Sequence, residues 1–185
     1  MEQTLVLGKP LVTRRAVAVV LGTALVAAAA QVAIPLPGTP VPLTLQPLAV
    51  LIVGGLLGPS LGAASLVLYL ALGVAGLPVF TPVGLPGIAR LIGPTGGYLL
   101  AYPVAASAVG LIASRGTGIP RLALAALVGL VLIHLGGLAQ LAILTGNLSQ
   151  AARFGTLPFL VGDLVKLCFA VLVLSLTIRP VRARL

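Results

Sequence analysis

The sequence predicts an all-α integral membrane protein, a bundle of six transmembrane helices with both chain ends on the inner side. Three observations lead there. Of its 185 residues 59% are hydrophobic and 7% charged, where a soluble domain carries about 25% charged residues. Mean hydropathy is +1.24. The apolar residues fall into six segments, most close to the roughly 20 residues that a span needs, and basic residues gather at alternate connections. The whole of 1–185 reads as one transmembrane domain.

The segments run Arg15–Ile34, Leu43–Gly58, Ser60–Leu77, Thr95–Ala113, Arg121–Thr145 and Leu157–Ile178. The first is longer than the core of a secretion signal, about 7–15 residues, so it reads as a retained helix despite the alanines at 27–30. The second is short, which suits a tilted or partly interfacial helix. Gly58-Pro59 breaks it sharply from the third. Two connections are unusual. Pro35–Pro42 contains four prolines and no charge, so it favours extended backbone. Pro78–Pro94 holds Pro82, Gly84, Pro86, Gly87 and one cation, Arg90. Both are apolar enough to fold back onto the bundle.

With the N-terminus inside, inner segments hold Lys9, Arg14, Arg15, Arg115, Arg121, Arg179, Arg182 and Arg184. The outer ones hold Arg90 and Arg153. That asymmetry gives N-in and C-in. It also explains the net charge of +9 without nucleic acid, because these residues flank span ends instead of forming a stripe. The single cysteine, Cys168, excludes an internal disulfide and a cysteine metal cluster.

The most informative stretch is Gly162-Asp163-Leu164-Val165-Lys166. Asp163 and Glu2 are the only acidic residues. A charge within a span costs about 2.5–3.5 kcal/mol on insertion scales and marks a pathway, relay or ligand site. Lys166, three residues on, shares its helical face. Counted from Leu157, Asp163 lies about 9 Å along the last helix, beneath the two apolar loops. That suits a pocket opening outward. The alternative is an ion pair that only locks the helix into the bundle.

Other polar residues are more ordinary. His134 lacks a second ligand at metal spacing and reads as a packing histidine with one hydrogen bond, as does Gln140. Tyr69 reads as packing. Gln46 is either a ligand donor or a helix-entry hydrogen bond. Ala18 with Gly22, and Ala24 with Ala28, are small pairs at four-residue spacing that permit close helix approach. No paired acids, HExxH, Gly-x-Ser-x-Gly or phosphate-binding loop occurs, which argues against an enzyme and assigns any ATP chemistry to partners. One acid is also poor material for a stand-alone secondary transporter, which needs a coupling-ion route.

Five motifs occur in order: Ile34-Pro35-Leu36-Pro37 followed by Thr44-Leu45-Gln46; Gly58-Pro59 with Leu61-Gly62; Gly76-Leu77-Pro78-Val79-Phe80; Gly93-Pro94-Thr95-Gly96-Gly97-Tyr98; and Gly162–Lys166. On these the chain resembles the BioY family, the biotin-specific substrate-binding (S) components of energy-coupling-factor vitamin importers. The resemblance implies high-affinity biotin binding from outside, with no cofactor. It implies membrane lipid, a transmembrane coupling protein and two cytoplasmic ATPases as partners, in a bacterial cytoplasmic membrane. It carries ligand contacts over to Asp163, Lys166 and Tyr98, and a docking face for the coupling protein to Ala18 and Gly22. The chain departs from some relatives in lacking a polar Asn in the loop 81–90 and in having Leu99 after the motif's tyrosine, so Arg90 is the cation left to face a ligand carboxylate. An S component for another small vitamin is the runner-up. The chemistry suits biotin: a carboxylate can accept both urea N–H groups, an ammonium can serve the carbonyl, and an apolar pocket suits the rings.

Overall fold

The computed structural model of the chain describes residues 9–185; Glu2 lies outside them. Helix α1 (Lys9–Gln31) is followed by a two-stranded antiparallel hairpin, β1 (Ala33–Ile34) and β2 (Leu43–Thr44), with Ala33 opposite Thr44 and Ile34 opposite Leu43. Then come α2 (Gln46–Val74), the short α3 (Ala89–Ile92), α4 (Gly96–Ser114), α5 (Ile119–Thr145), α6 (Leu148–Gly155), a 3₁₀ turn at Leu157–Phe159 and α7 (Leu160–Arg182). Five stretches are long and apolar enough to cross a membrane, and α2 supplies two crossings.

The reversal in α2 follows from two residues. Gly58 has φ 81° and ψ −178°, a conformation that only glycine adopts without strain, and Pro59 cannot continue the hydrogen-bond ladder. Residues 54 and 62 would be about 12 Å apart along a continuous helix. Instead, a Cβ added at Gly62 would lie 3.1 Å from the Gly54 Cα, so the arms fold against each other. The first arm, 46–57, rises only about 18 Å; the β hairpin makes up the difference to the loop end. Pro59 leaves the Gly55 carbonyl without its helical donor, and Arg182 from the end of α7 supplies one, through Nε at 3.1 Å and Nη2 at 2.7 Å. Such freed carbonyls in a membrane must find a partner.

Helix ends match local chemistry. Gly146 closes α5 in the left-handed region at φ 66°, and Asn147 caps α6 by accepting from the Gln150 N–H at 3.1 Å. Several expected boundaries move, among them three at the loop end. Ile34 and Leu43 belong to the β hairpin, because the prolines between them favour extended backbone. The last span starts at Leu160, after the 3₁₀ turn. Asp163 is therefore in the first turn of α7, shallower than the count from Leu157 gave and close to the favourable end of the helix dipole.

The two ends of the bundle differ. One carries the Gly58 turn, the 115–118 connection and the arginines of the tail. The other carries the β hairpin, the loop 75–95 and α6. At this loop end α6 is tied across the bundle: Thr39 Oγ1 donates to the Phe154 carbonyl at 2.6 Å and the Tyr98 hydroxyl to the Gly155 carbonyl at 2.6 Å. Helices α4 and α5 meet backbone to backbone. A Cβ on Gly97 would lie 2.1 Å from the Gly136 carbonyl oxygen, and one on Gly136 2.5 Å from that of Gly97.

Candidate ligand-binding site

A narrow, mostly apolar cavity lies under the loop end. Val41 from the hairpin, Phe80 from the loop 75–95, Tyr102 from α4 and Phe159 before α7 give it apolar walls. Gln46, Arg90, Tyr98, Asp163 and Lys166 all line it. The residues singled out from sequence on four separate segments thus meet in one place.

Asp163 and Lys166 are 6% and 7% exposed. Lys166 Nζ donates to Asp163 Oδ1 at 2.9 Å, as the three-residue spacing predicts. The second carboxylate oxygen is engaged too: Oδ2 is 2.6 Å from His134 Nε2. An ionised carboxylate has about four lone-pair sites, so each oxygen keeps capacity for a ligand donor. Removing one partner would strand a buried charge at a cost of about 3–5 kcal/mol. His134 is the site residue that sequence reading missed. Its ring also meets that of Tyr98 edge to face, centroids 6.2 Å apart, and its Nδ1 is buried without a partner.

Arg90 is buried and holds the roof. Its Nη2 donates to the Thr81 carbonyl at 2.8 Å and its Nη1 to Thr81 Oγ1 at 3.0 Å and to the Val83 carbonyl. Burial pushes its guanidinium below its ordinary pKa, while arginine stays charged at any physiological pH. Arg90 Nε has no partner, and a buried orphan donor is costly. Gln46 Nε2 donates to the Tyr69 hydroxyl at 2.7 Å, so Tyr69 supports a cavity residue as well as packing. Gln140 anchors the chain before the Gly-Pro-Thr motif by donating to the Leu91 and Gly93 carbonyls at 2.9 and 2.7 Å. Tyr98 spends its proton on Gly155, leaving its ring and oxygen lone pair for the cavity.

The family model that matches residues 1–183 is that of the BioY family. The chain belongs to the BioY family. It is 43% identical over 155 residues to the probable biotin transporter BioY of Pyrococcus horikoshii, covering 84% of this chain and 90% of that one. It is 35% identical over 151 residues to the biotin transporter BioY of Thermotoga maritima, covering 82% and 88%. Among solved structures it resembles the 2.1 Å crystal structure of the S-component for biotin from an ECF-type ABC transporter, with TM-score 0.79, 26% identity, and 95% and 93% of the two chains covered. The chain has that S-component fold and is a membrane transporter component, not an enzyme.

Within this BioY chain Ala18 and Gly22 both line an open groove beside α1. Gly22 also packs closely on α2: a Cβ there would lie 2.7 Å from Ser65 Oγ and 3.1 Å from Leu57 Cδ1. Beside it Thr23 Oγ1 donates to the Ser65 carbonyl at 2.9 Å. The glycine thus serves the contact between α1 and α2, one of the alternatives for any small-residue pair. Ala18 is half-buried, whereas Ala24 and Ala28 are exposed.

Proposed function

We propose that this chain is the high-affinity biotin-binding subunit of an energy-coupling-factor importer in the bacterial cytoplasmic membrane. It takes biotin from outside and releases it inward, with a transmembrane coupling protein and two cytoplasmic ATPases as partners. The observation that carries the reading is the buried Asp163–Lys166–His134 cluster under a roofed apolar cavity. Asp163 accepts urea N–H groups on its remaining lone pairs, Lys166 donates to the urea carbonyl, and His134 fixes the carboxylate. Arg90 Nε is a donor awaiting the ligand's carboxylate, with Gln46 and the Tyr98 ring completing the walls. Asp163, Lys166 and Arg90 together carry one net positive charge, which matches a ligand bearing one carboxylate. Residues 1–185 act as a single substrate-binding domain. Docking to the coupling protein involves the face of α1 that carries Ala18 and Gly22.

Protein purified in detergent should release biotin on denaturation, identified by mass spectrometry, and calorimetry on ligand-free protein should show one tight site. Stoichiometric release of a different vitamin, with no heat on adding biotin, would transfer the reading to another S component.

The orientation rests on the eight inner against two outer basic residues. Cysteines placed at Pro37 and Gly87 should react with a membrane-impermeant reagent on intact cells, and one at Gly116 should not. The opposite pattern would put the cavity on the cytoplasmic side.

A further inference from the structure

The chain has three tyrosines, and the hydroxyls of two are engaged. That of Tyr69 accepts from Gln46 Nε2 at 2.7 Å, and that of Tyr98 donates to the Gly155 carbonyl at 2.6 Å. Tyr102 differs. It is 3% exposed, and its ring is part of the cavity wall. Its hydroxyl has no hydrogen-bond partner among the described residues, yet neighbouring atoms do not shut it off as they do His134 Nδ1. A hydroxyl inside the bundle that is still accessible opens on the cavity. Water or a ligand must satisfy it there, because a hydroxyl left unpaired in an apolar site is costly.

Position decides which ligand atom it meets. Tyr102 is one turn beyond Tyr98 on the same face of α4. The Tyr98 ring meets that of His134, which in turn bonds Asp163, so this face of α4 looks at the charged cluster on α5 and α7. Depth agrees. Tyr102 is the sixth residue after Gly96, where α4 begins, and Lys166 the sixth after Leu160, where α7 begins. Each is about 9 Å along its helix from the loop end, against about 4.5 Å for Asp163. Lys166 and Tyr102 are the deep donors of the cavity, and Arg90 is the donor in its roof.

We propose that the Tyr102 hydroxyl donates to the urea carbonyl of the ligand, opposite Lys166. The inference rests on the biotin reading above. A carbonyl oxygen has two lone pairs; Lys166 fills one, and a second donor at the same depth fills the other. Two donors draw charge onto the oxygen of a cyclic urea and make its N–H groups stronger donors toward Asp163, since linked hydrogen bonds polarise one another. The ring sulfur of the ligand is a weak acceptor and a poorer match for a hydroxyl. Tyr102 is thus a specificity residue, selecting a urea oxygen over any weaker acceptor at that place.

Tyr102→Phe removes the hydroxyl and keeps the ring. Calorimetry on ligand-free parent and variant compares biotin, desthiobiotin, which keeps the urea and lacks the ring sulfur, and 2-thiobiotin, whose thiocarbonyl accepts weakly. The variant should bind biotin and desthiobiotin about 10-fold more weakly than the parent does, and 2-thiobiotin about equally. The ligand-free melting temperature should hold or rise, because the substitution removes an unpaired polar group. Three results overturn the proposal. Biotin affinity unchanged in the variant makes the hydroxyl idle. Equal loss for all three ligands, with a lower melting temperature, makes Tyr102 a packing residue. Loss for biotin but not for desthiobiotin puts the hydroxyl on the ring sulfur. A parent that binds none of the three ligands overturns the biotin reading and this one with it, a result distinct from the other three.

Discussion

Replacing Asp163 with asparagine should weaken biotin binding at least 10-fold. The substitution keeps the shape of the side chain but exchanges a carboxylate for a group with one acceptor and two donors. In the parent, Lys166 Nζ donates to one oxygen and His134 Nε2 meets the other. Asparagine can accept from Lys166 only through its carbonyl oxygen, which turns its NH₂ toward His134 and requires that Nε2 to act as the acceptor. Each charge-assisted bond to ligand contributes about 1.5–3 kcal/mol, so loss of one weakens binding roughly 10- to 150-fold. The same change strands Lys166, which is 7% exposed, without its counter-charge, at a cost to stability of about 3–5 kcal/mol. A second variant separates the two effects. Asp163→Asn combined with Lys166→Met removes both charges, and replacing a whole buried pair with apolar groups is often near neutral. Thermal stability should recover in the double variant while affinity stays low, by calorimetry on monodisperse protein. If Asp163→Asn binds biotin as tightly as the parent, the carboxylate is structural and the ligand is held elsewhere.

Gly97→Leu should lower the melting temperature and abolish binding together. Leucine is the better helix former, so propensity favours the variant by up to about 1 kcal/mol. Packing opposes it more strongly. The new Cβ would be 2.1 Å from the Gly136 carbonyl oxygen, and that atom is helix backbone with no rotamer to change. Overpacking costs about 1–3 kcal/mol and occasionally more; a clash between two backbones is at the upper end. Relief requires α4 and α5 to separate, which carries His134 away from Asp163 and Tyr98 away from Gly155. Gly118→Leu is the control, because a Cβ there meets only Pro120 Cδ at 4.0 Å. Equal melting temperatures and affinities for the two variants would show that the α4–α5 contact can widen without disturbing the cavity.

What could be read from the sequence depended on how local its cause was. The six apolar segments, the Gly58-Pro59 reversal and the Asp163–Lys166 pair each arise within a few residues, and all are present in the structure. The apolar character of the two loops likewise foretold that they cover the bundle, as Val41 and Phe80 do. His134 makes the one hydrogen bond expected of it, but its partner is 29 residues away on another helix, and which way α5 turns its histidine depends on packing against α4, where Gly136 meets Gly97. A histidine and a lone acid in spans without other acids were the available signal. Four-residue spacing at Ala18 and Gly22 marked a small-residue face, but not that Gly22 would also pack closely against Ser65 and Leu57. The α6 strap was hidden in the connection after Thr145, although Asn147 followed by an apolar residue was a usable helix-start signal.

The bond between Arg182 and the Gly55 carbonyl bears on biogenesis. The two residues are 127 positions apart. During synthesis the α2 hairpin enters the membrane while most of the chain, α7 included, has not been made, and the carbonyl freed by Pro59 has only water or lipid headgroups to turn to. The hairpin tip therefore stays near the membrane surface until the last helix arrives and brings its arginine down against it. Maturation of the bundle ends with the final turn of the polypeptide acting as a latch on one of its earliest folds, and losing the Arg182 guanidinium alone leaves every span in place but the Gly55 carbonyl without that donor.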